Sequence, residues 1–186
     1  MTCIVGLVNG NTVWIGGDSA GTDSNLQRII IRDPKVFIKD DFAFGMCGTP
    51  KAIDALRYGV TLPSRPIGSD ERGFLVNDVV PTIRAGLQKL DCAGPTQTGE
   101  IGFQGGALIG YMGRLYTMQG NFQLIQSAED FAAIGSGAQL ALGSMHGSGG
   151  EHDPRKRITA ALEAAAKSHA GVAPPFVIVN AKKRFV

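Results

Sequence analysis

The sequence is poor in charge, in cysteine and in aromatic side chains. Charged residues make up 18% and aromatics 7% of the 186 residues. Lys plus Arg number 18 against 16 for Asp plus Glu, a formal net charge of +2. So small an excess does not by itself imply a nucleic-acid or membrane-surface partner. The three cysteines, Cys3, Cys47 and Cys92, have no CxxC spacing. That excludes a disulfide framework and a zinc knuckle, and points to a reducing compartment. The three histidines, His146, His152 and His169, form no HExxH pair, so no metal is expected. Gly135-Ser136-Gly137 resembles the start of a dinucleotide fingerprint, but Leu140 stands where the third glycine belongs. There is no Walker A and no GxSxG sequence, and no cofactor is expected. Residues 1–9 are apolar but end at Asn9-Gly10-Asn11, too short for a signal peptide or a membrane span. A cytoplasmic protein is expected. The basic tail Lys182-Lys183-Arg184 reads as a solvated end.

What is present is 44% hydrophobic residues and 26 glycines without a period. A chain of this length buries about 70% of its unfolded surface and needs no staple. One domain over residues 1–186 is expected. Two β-rich runs, 2–8 and 12–17, flank Asn9-Gly10, a hairpin signal. Short strands are expected at 28–32, 35–39 and 42–47, with turns at Asp33-Pro34 and Asp40-Asp41. Thr49 and Pro50 suit the start of a helix. A second helix covers 71–90, with a kink or a start near Pro81. Residues 91–102 read as a loop, strands return at 105–111, 114–118 and 122–126, and Ala132-Ala-Ile134 leads to the turn Gly135-Ser136-Gly137. Helices follow over 137–146 and 154–169, then a closing strand over 176–179. Tight turns between strands imply mostly antiparallel pairing. The expected fold is α+β: a four-layer αββα sandwich, two stacked sheets covered by helices on both outer faces.

The first strand begins almost at residue 1, which draws attention to Thr2. Removal of Met1 would put a hydroxyl and a free α-amine on one residue. Such an amine ordinarily titrates near about 7.7–8. A threonine activated by its own amine is a known nucleophile class. Asp18 closes the second strand, Lys35 opens a later one, Gly48 precedes a helix, and Ser136 sits at another strand-to-helix turn. The bland alternatives are a turn-capping Asp18, a solvated Lys35, a turn glycine at 48 and a helix-capping Ser136.

Thr2-Cys-Ile-Val, Gly17-Asp18-Ser19-Ala20, Lys35-Val36, Gly45-Met-Cys-Gly48 and Ala133-Ile-Gly-Ser136-Gly137 occur in an order and spacing that span the chain. Together they resemble the proteasome β-subunit family of N-terminal nucleophile hydrolases, in particular the HslUV-type peptidase subunit and other short bacterial or phage-borne members. The family's αββα sandwich agrees with the element order above. The resemblance implies that Thr2 Oγ attacks a peptide carbonyl and that the Thr2 amine is the base. It implies that Lys35 supplies positive charge, that Asp18 balances it, that Gly48 N–H holds the oxyanion, and that Ser136 bonds the amine. It also implies stacked rings of this chain, a separate AAA+ unfoldase ATPase as partner, and unfolded polypeptide as substrate. Met46 and Ala20 fall near the family's specificity pocket. The match differs at two points. One extra residue lies between Asp18 and Lys35. The Asp and Ser/Thr that the family carries near the last helix are replaced by His169 and Val172, with Ser168 as a neighbouring hydroxyl. Two alternatives stay open: an inactive structural ring subunit, and an amidohydrolase acting on a small amide.

Overall fold

From Cys3 into β1 (Ile4–Asn9), Cys3, Val5 and Leu7 turn to one side and Ile4 to the other. That alternation, repeated along the strands, builds the layers. The computed structural model describes residues 1–23 and 27–183; Arg184 of the basic tail lies outside them. β1 is followed by β2 (Thr12–Gly17), β3 (Ala20–Thr22), β4 (Arg28–Ile30), β5 (Val36–Lys39) and β6 (Phe42–Gly48). Helix α1 (Pro50–Asp54) runs into a π turn, Ala55–Gly59. Helix α2 (Glu71–Phe74) passes through a second π turn, Leu75–Val79, into α3 (Val80–Lys89). Next come β7 (Gly94–Pro95), β8 (Ile101–Gly102), β9 (Gly105–Tyr111), β10 (Arg114–Met118), β11 (Leu124–Ile125) and β12 (Phe131–Ile134). Helices α4 (Ala138–Gly147) and α5 (Pro154–Ser168) and strand β13 (Val177–Lys182) complete the order.

One sheet has the order β12-β1-β2-β13 and the other β11-β10-β9-β6-β5. Every described ladder is antiparallel, as the tight turns imply. Ile4, Val13, Ile15, Val36, Ala43 and Leu108 fill the space between the sheets. Gly45 lets them close: a Cβ there would lie 2.5 Å from Ile4 and 2.6 Å from Ile15. On the outer face of the first sheet, Cys3, Val5 and Phe131 pack under Met145 of α4 and Ile158 and Leu162 of α5. On the outer face of the second, Phe44, Met46, Ile109 and Met118 pack under Leu56, Leu75, Val79, Ile83 and Leu87. Each such side chain contributes about 1.5–3 kcal/mol by leaving water. The layers are therefore helix, sheet, sheet, helix, the expected αββα sandwich.

Two added strand pairings differ from the sequence reading. Ala20–Thr22 forms a strand that pairs with Arg28–Ile30 as a separate two-stranded sheet. Within the expected loop 91–102, Gly94–Pro95 pairs with Ile101–Gly102. The expected helix over 71–90 does start at Glu71, and the break expected near Pro81 is a π turn, Leu75–Val79, just ahead of the proline. A π turn is a common way to accommodate a break in the helical ladder. Thr49 caps α1 by accepting from Ala52 N–H, with Pro50 in the first turn.

Candidate active site

The register of the first sheet gathers the candidate residues. Ile4 pairs with Gly17 on one side and with Ile134 on the other. Residues 2–3, 18 and 135–136 therefore leave the sheet at one end. Lys35 precedes β5 in the facing sheet, and its C=O accepts from Met46 N–H at 2.9 Å. The close approach of the sheets brings Lys35 over Asp18.

Asp18 and Lys35 form a buried ion pair of 2.9 Å, with side chains 0% and 4% exposed. Asp18 Oδ1 also accepts from Cys3 N–H at 2.9 Å, and Oδ2 from Ala20 N–H at 2.9 Å. The carboxylate is thus held by backbone on two strands. Capping its turn is only part of what it does. Lys35 Nζ donates to Asp18 Oδ1 at 2.9 Å, to Ala20 C=O at 2.6 Å and to Met1 C=O at 3.3 Å. Those three acceptors match the three donors of an ammonium. Lys35 is not a solvated edge residue.

Thr2 is buried, at 5% exposure. Its Oγ1 donates to Met1 C=O at 2.6 Å, the same oxygen that Lys35 reaches. Ser136 Oγ accepts from Thr2 N–H at 3.2 Å and donates to Thr2 C=O at 3.3 Å. Ser136 does not cap α4: the residue at the cap is Gly137, with no side-chain bond. Gly135, at φ 91°, lies so close to Thr2 C=O that any Cβ would collide with it. Cys3 points away, into the core under the helices. Burial and the neighbouring Asp18 charge push its thiol up to about 12, with Lys35 acting in the opposite direction.

A cleft of about 370 Å³ is lined by Met1, Thr2, Cys47, Gly48, Gln104 and Ser136, among others. Gly48 ends β6 at φ 128°, opposite Gly105 at φ 155°. A side chain at Gly48 would strike Gln104 C=O. The bare backbone of Gly48 thus forms one wall of the cleft that holds Thr2. All five candidate residues (Thr2, Asp18, Lys35, Gly48 and Ser136) come to this end of the sandwich. Burial raises the Cys47 thiol above its usual value, against the backbone N–H groups of Gly106 and Cys47 and, more weakly, Lys35 and the N-terminal amine.

Met46 and Ala20 do not line this cleft. Both are fully buried, Met46 in the core under α1–α3 and Ala20 with its carbonyl on Lys35. Alternation along β6 turns Met46 to the helix side. The segment after α5 does come beside the N-terminus. Gly171 has so little room that a Cβ would meet the Met1 side chain. Yet Val172 is buried in the core, His169 Nδ1 accepts from Gly171 N–H at 3.1 Å, and Ser168 is exposed. Sequence reasoning missed Thr22, whose Oγ1 accepts from the Met1 amine at 3.2 Å, and the Gln104–Gly105 wall. Neither carries a local signal; pairing across strands places them.

Among the described residues, no group of three His, Cys, Asp or Glu could hold a metal ion. Nor, among the described residues, is any helix long and apolar enough to cross a membrane.

Neither the protein-family models nor the curated protein sequences return a match to this sequence. Solved structures do. BPH of Thiobacillus denitrificans in complex with epoxomicin aligns with a TM-score of 0.79 at 16% identity, over 99% of this chain and 100% of that one. BPH of the same organism, in a second structure, aligns at 0.77 and 18% identity, over 98% and 99%. The eukaryotic HslV of Trypanosoma brucei aligns at 0.69 and 16% identity, over 97% and 99%. At these identities the likeness is one of fold, and it runs the length of the chain: this protein has the fold of the HslV-type, proteasome-like peptidases.

Proposed function

We propose that this chain is a threonine-type peptidase subunit that cleaves unfolded polypeptide, with Thr2 as nucleophile once Met1 is removed. One observation carries the reading. Thr2 Oγ1 and Lys35 Nζ both donate to the single oxygen of Met1. Removing Met1 takes that oxygen away and leaves a hydroxyl and an ammonium side by side. The ammonium then has a free donor for the threonine oxygen. Its charge favours the neutral amine and the anionic oxygen. The new amine stands where Thr2 N–H now meets Ser136.

The chemistry follows from these positions. The amine takes the hydroxyl proton as Oγ1 bonds to the substrate carbonyl carbon. The carbonyl electrons move to oxygen, beside the bare backbone of Gly48. Loss of such an oxyanion donor costs about 10²–10³ in rate elsewhere. The amine then protonates the leaving nitrogen, and the peptide bond breaks. Water, deprotonated by the same amine, releases the acyl group. Asp18 keeps Lys35 in place throughout. An exposed threonine nucleophile would cut folded neighbours, so enclosure in stacked rings and feeding by a separate ATPase unfoldase belong to the same proposal.

A second reading is an inactive structural ring subunit. It is favoured by the segment 168–172, which brings no free polar side chain to the amine. Epoxomicin, the compound bound by the Thiobacillus BPH, separates the two. Intact mass is measured before and after exposure to it. The peptidase reading expects a chain lacking Met1, an epoxomicin adduct that maps to Thr2, and neither adduct nor cleavage of unfolded protein in Thr2→Ala. A chain that lacks Met1 yet forms no adduct and cleaves nothing is the inactive subunit.

A further inference from the structure

A second hollow opens beside the Thr2 cleft. It has a volume of about 630 Å³ and lies between the residues that follow α3 and the β7–β8 hairpin. Gln104 lines both hollows. It is exposed, and Gly105 beside it starts β9 on the cleft's own wall. The two hollows therefore adjoin at Gln104. The walls of this trough include Asp91, Gly94, Pro95, Gln97 and Phe103. A glutamine amide both donates and accepts, as a peptide group does. Pro95 and Phe103 add apolar surface, and Asp91 is the one carboxylate among the lining residues. This is a lining for neutral backbone of varied sequence. Another hollow of about 620 Å³, by Arg65 and Ile67, shares no lining residue with the Thr2 cleft.

We propose that the trough is an extended substrate site, holding the part of an unfolded chain that runs on from the bond at Thr2. This rests on the reading of Thr2 as nucleophile. An extended chain gains about 3.3–3.6 Å per residue, so each added residue reaches further along the trough. Contacts remote from the reacting bond can be used to raise kcat/KM. Gly94 lines the trough and is the position at which bulk is added to test it. A Cβ there meets nothing within 4 Å.

The test uses fluorescein-labelled peptides of about four to twelve residues, extended on either side of one cleavable bond. In the unsubstituted protein, kcat/KM of the longest peptide should exceed that of the shortest by about tenfold or more, in one of the two series. Gly94→Trp should bring this ratio near one. Gly94→Ala, which adds only a Cβ in open space, should keep it. No gain with length, or an equal gain in Gly94→Trp, overturns the proposal. So does an equal loss in Gly94→Ala. Binding is read separately by anisotropy on Thr2→Ala, which needs no turnover. There the long peptide should bind more tightly than the short one, and adding Gly94→Trp should erase the difference; equal binding overturns the trough. Failure of the unsubstituted protein to cleave any peptide sinks the peptidase reading instead, and the anisotropy still decides the trough.

Discussion

Lys35 and Asp18 are two charges in a place that water scarcely reaches, with side-chain exposures of 4% and 0%. Removing one partner of such a pair costs about 3–5 kcal/mol, because the other charge stays buried. Asp18 keeps its bonds from Cys3 and Ala20 in Lys35→Met, which puts the expected loss near the lower end. Urea unfolding should show it. The double variant Asp18→Asn, Lys35→Met should recover part of the loss, since no charge is left unpaired. Neither variant should cleave unfolded protein. Equal stability of Lys35→Met and the unsubstituted chain would mean that the pair does not form. Cys3 makes a separate prediction of pH dependence. Its thiol is raised from the usual 9.0 to about 12, first by burial and then by Asp18. Above pH 9 the unfolded chain gives up this proton while the folded chain keeps it. Protons bound in the unfolded state are then fewer, so stability falls as pH rises from about 9 towards 12. The fall in urea midpoint between pH 8 and pH 10 should be smaller in Cys3→Ala. Iodoacetamide should label Cys3 at pH 8 only after unfolding.

At the scale of elements, the parts legible in the sequence are those with a local cause. Asn9-Gly10 marks the first hairpin, and Gly10 takes its φ of 58° in the two-residue loop between Asn9 and Thr12. Thr49-Pro50 marks the start of α1 by chemistry confined to four residues. The alternation in Phe42–Gly48 says which side chains go to the helices. Thr2, Asp18, Lys35, Gly48 and Ser136 were singled out by the family resemblance; each stands where a strand begins or ends, and antiparallel register brings such ends together. What stayed hidden has distant causes. β3 is three residues long and pairs with β4 across residues that carry no turn signal of the Asn-Gly kind. The π turns at 55–59 and 75–79 share their apolar pattern with ordinary helix. Ser136 has the residue type of a cap, yet its hydroxyl is drawn to Thr2. The trough by Gly94 depends on where loop 91–104 lies against the cleft, which no local pattern encodes.

Taken whole, the molecule leaves apolar surface without a cover. Ile29 and Ile30, on the β3–β4 hairpin, are 63% and 53% exposed. A two-stranded sheet is marginal in water by itself. This one carries Ala20, whose carbonyl holds Lys35, and Thr22, whose hydroxyl meets the Met1 amine. The site thus depends on a hairpin that its own chain leaves half bare. Strand alternation turns Ile29 and Ile30 to opposite faces, so this two-stranded sheet leaves apolar surface on both sides, which fits contact with another protein surface. In a ring of identical subunits that surface belongs to a second copy, and closed symmetry repeats the contact around the ring. Sedimentation equilibrium should accordingly give a mass many times that of one chain. The double variant Ile29→Asp, Ile30→Asp should shift it towards the single chain, and activity should fall with the loss of assembly even though neither residue lines the Thr2 cleft. Assembly that survives this variant would place the contact elsewhere. A single-chain mass for the unsubstituted protein would remove the argument for enclosure, and with it the reason to expect a feeding ATPase.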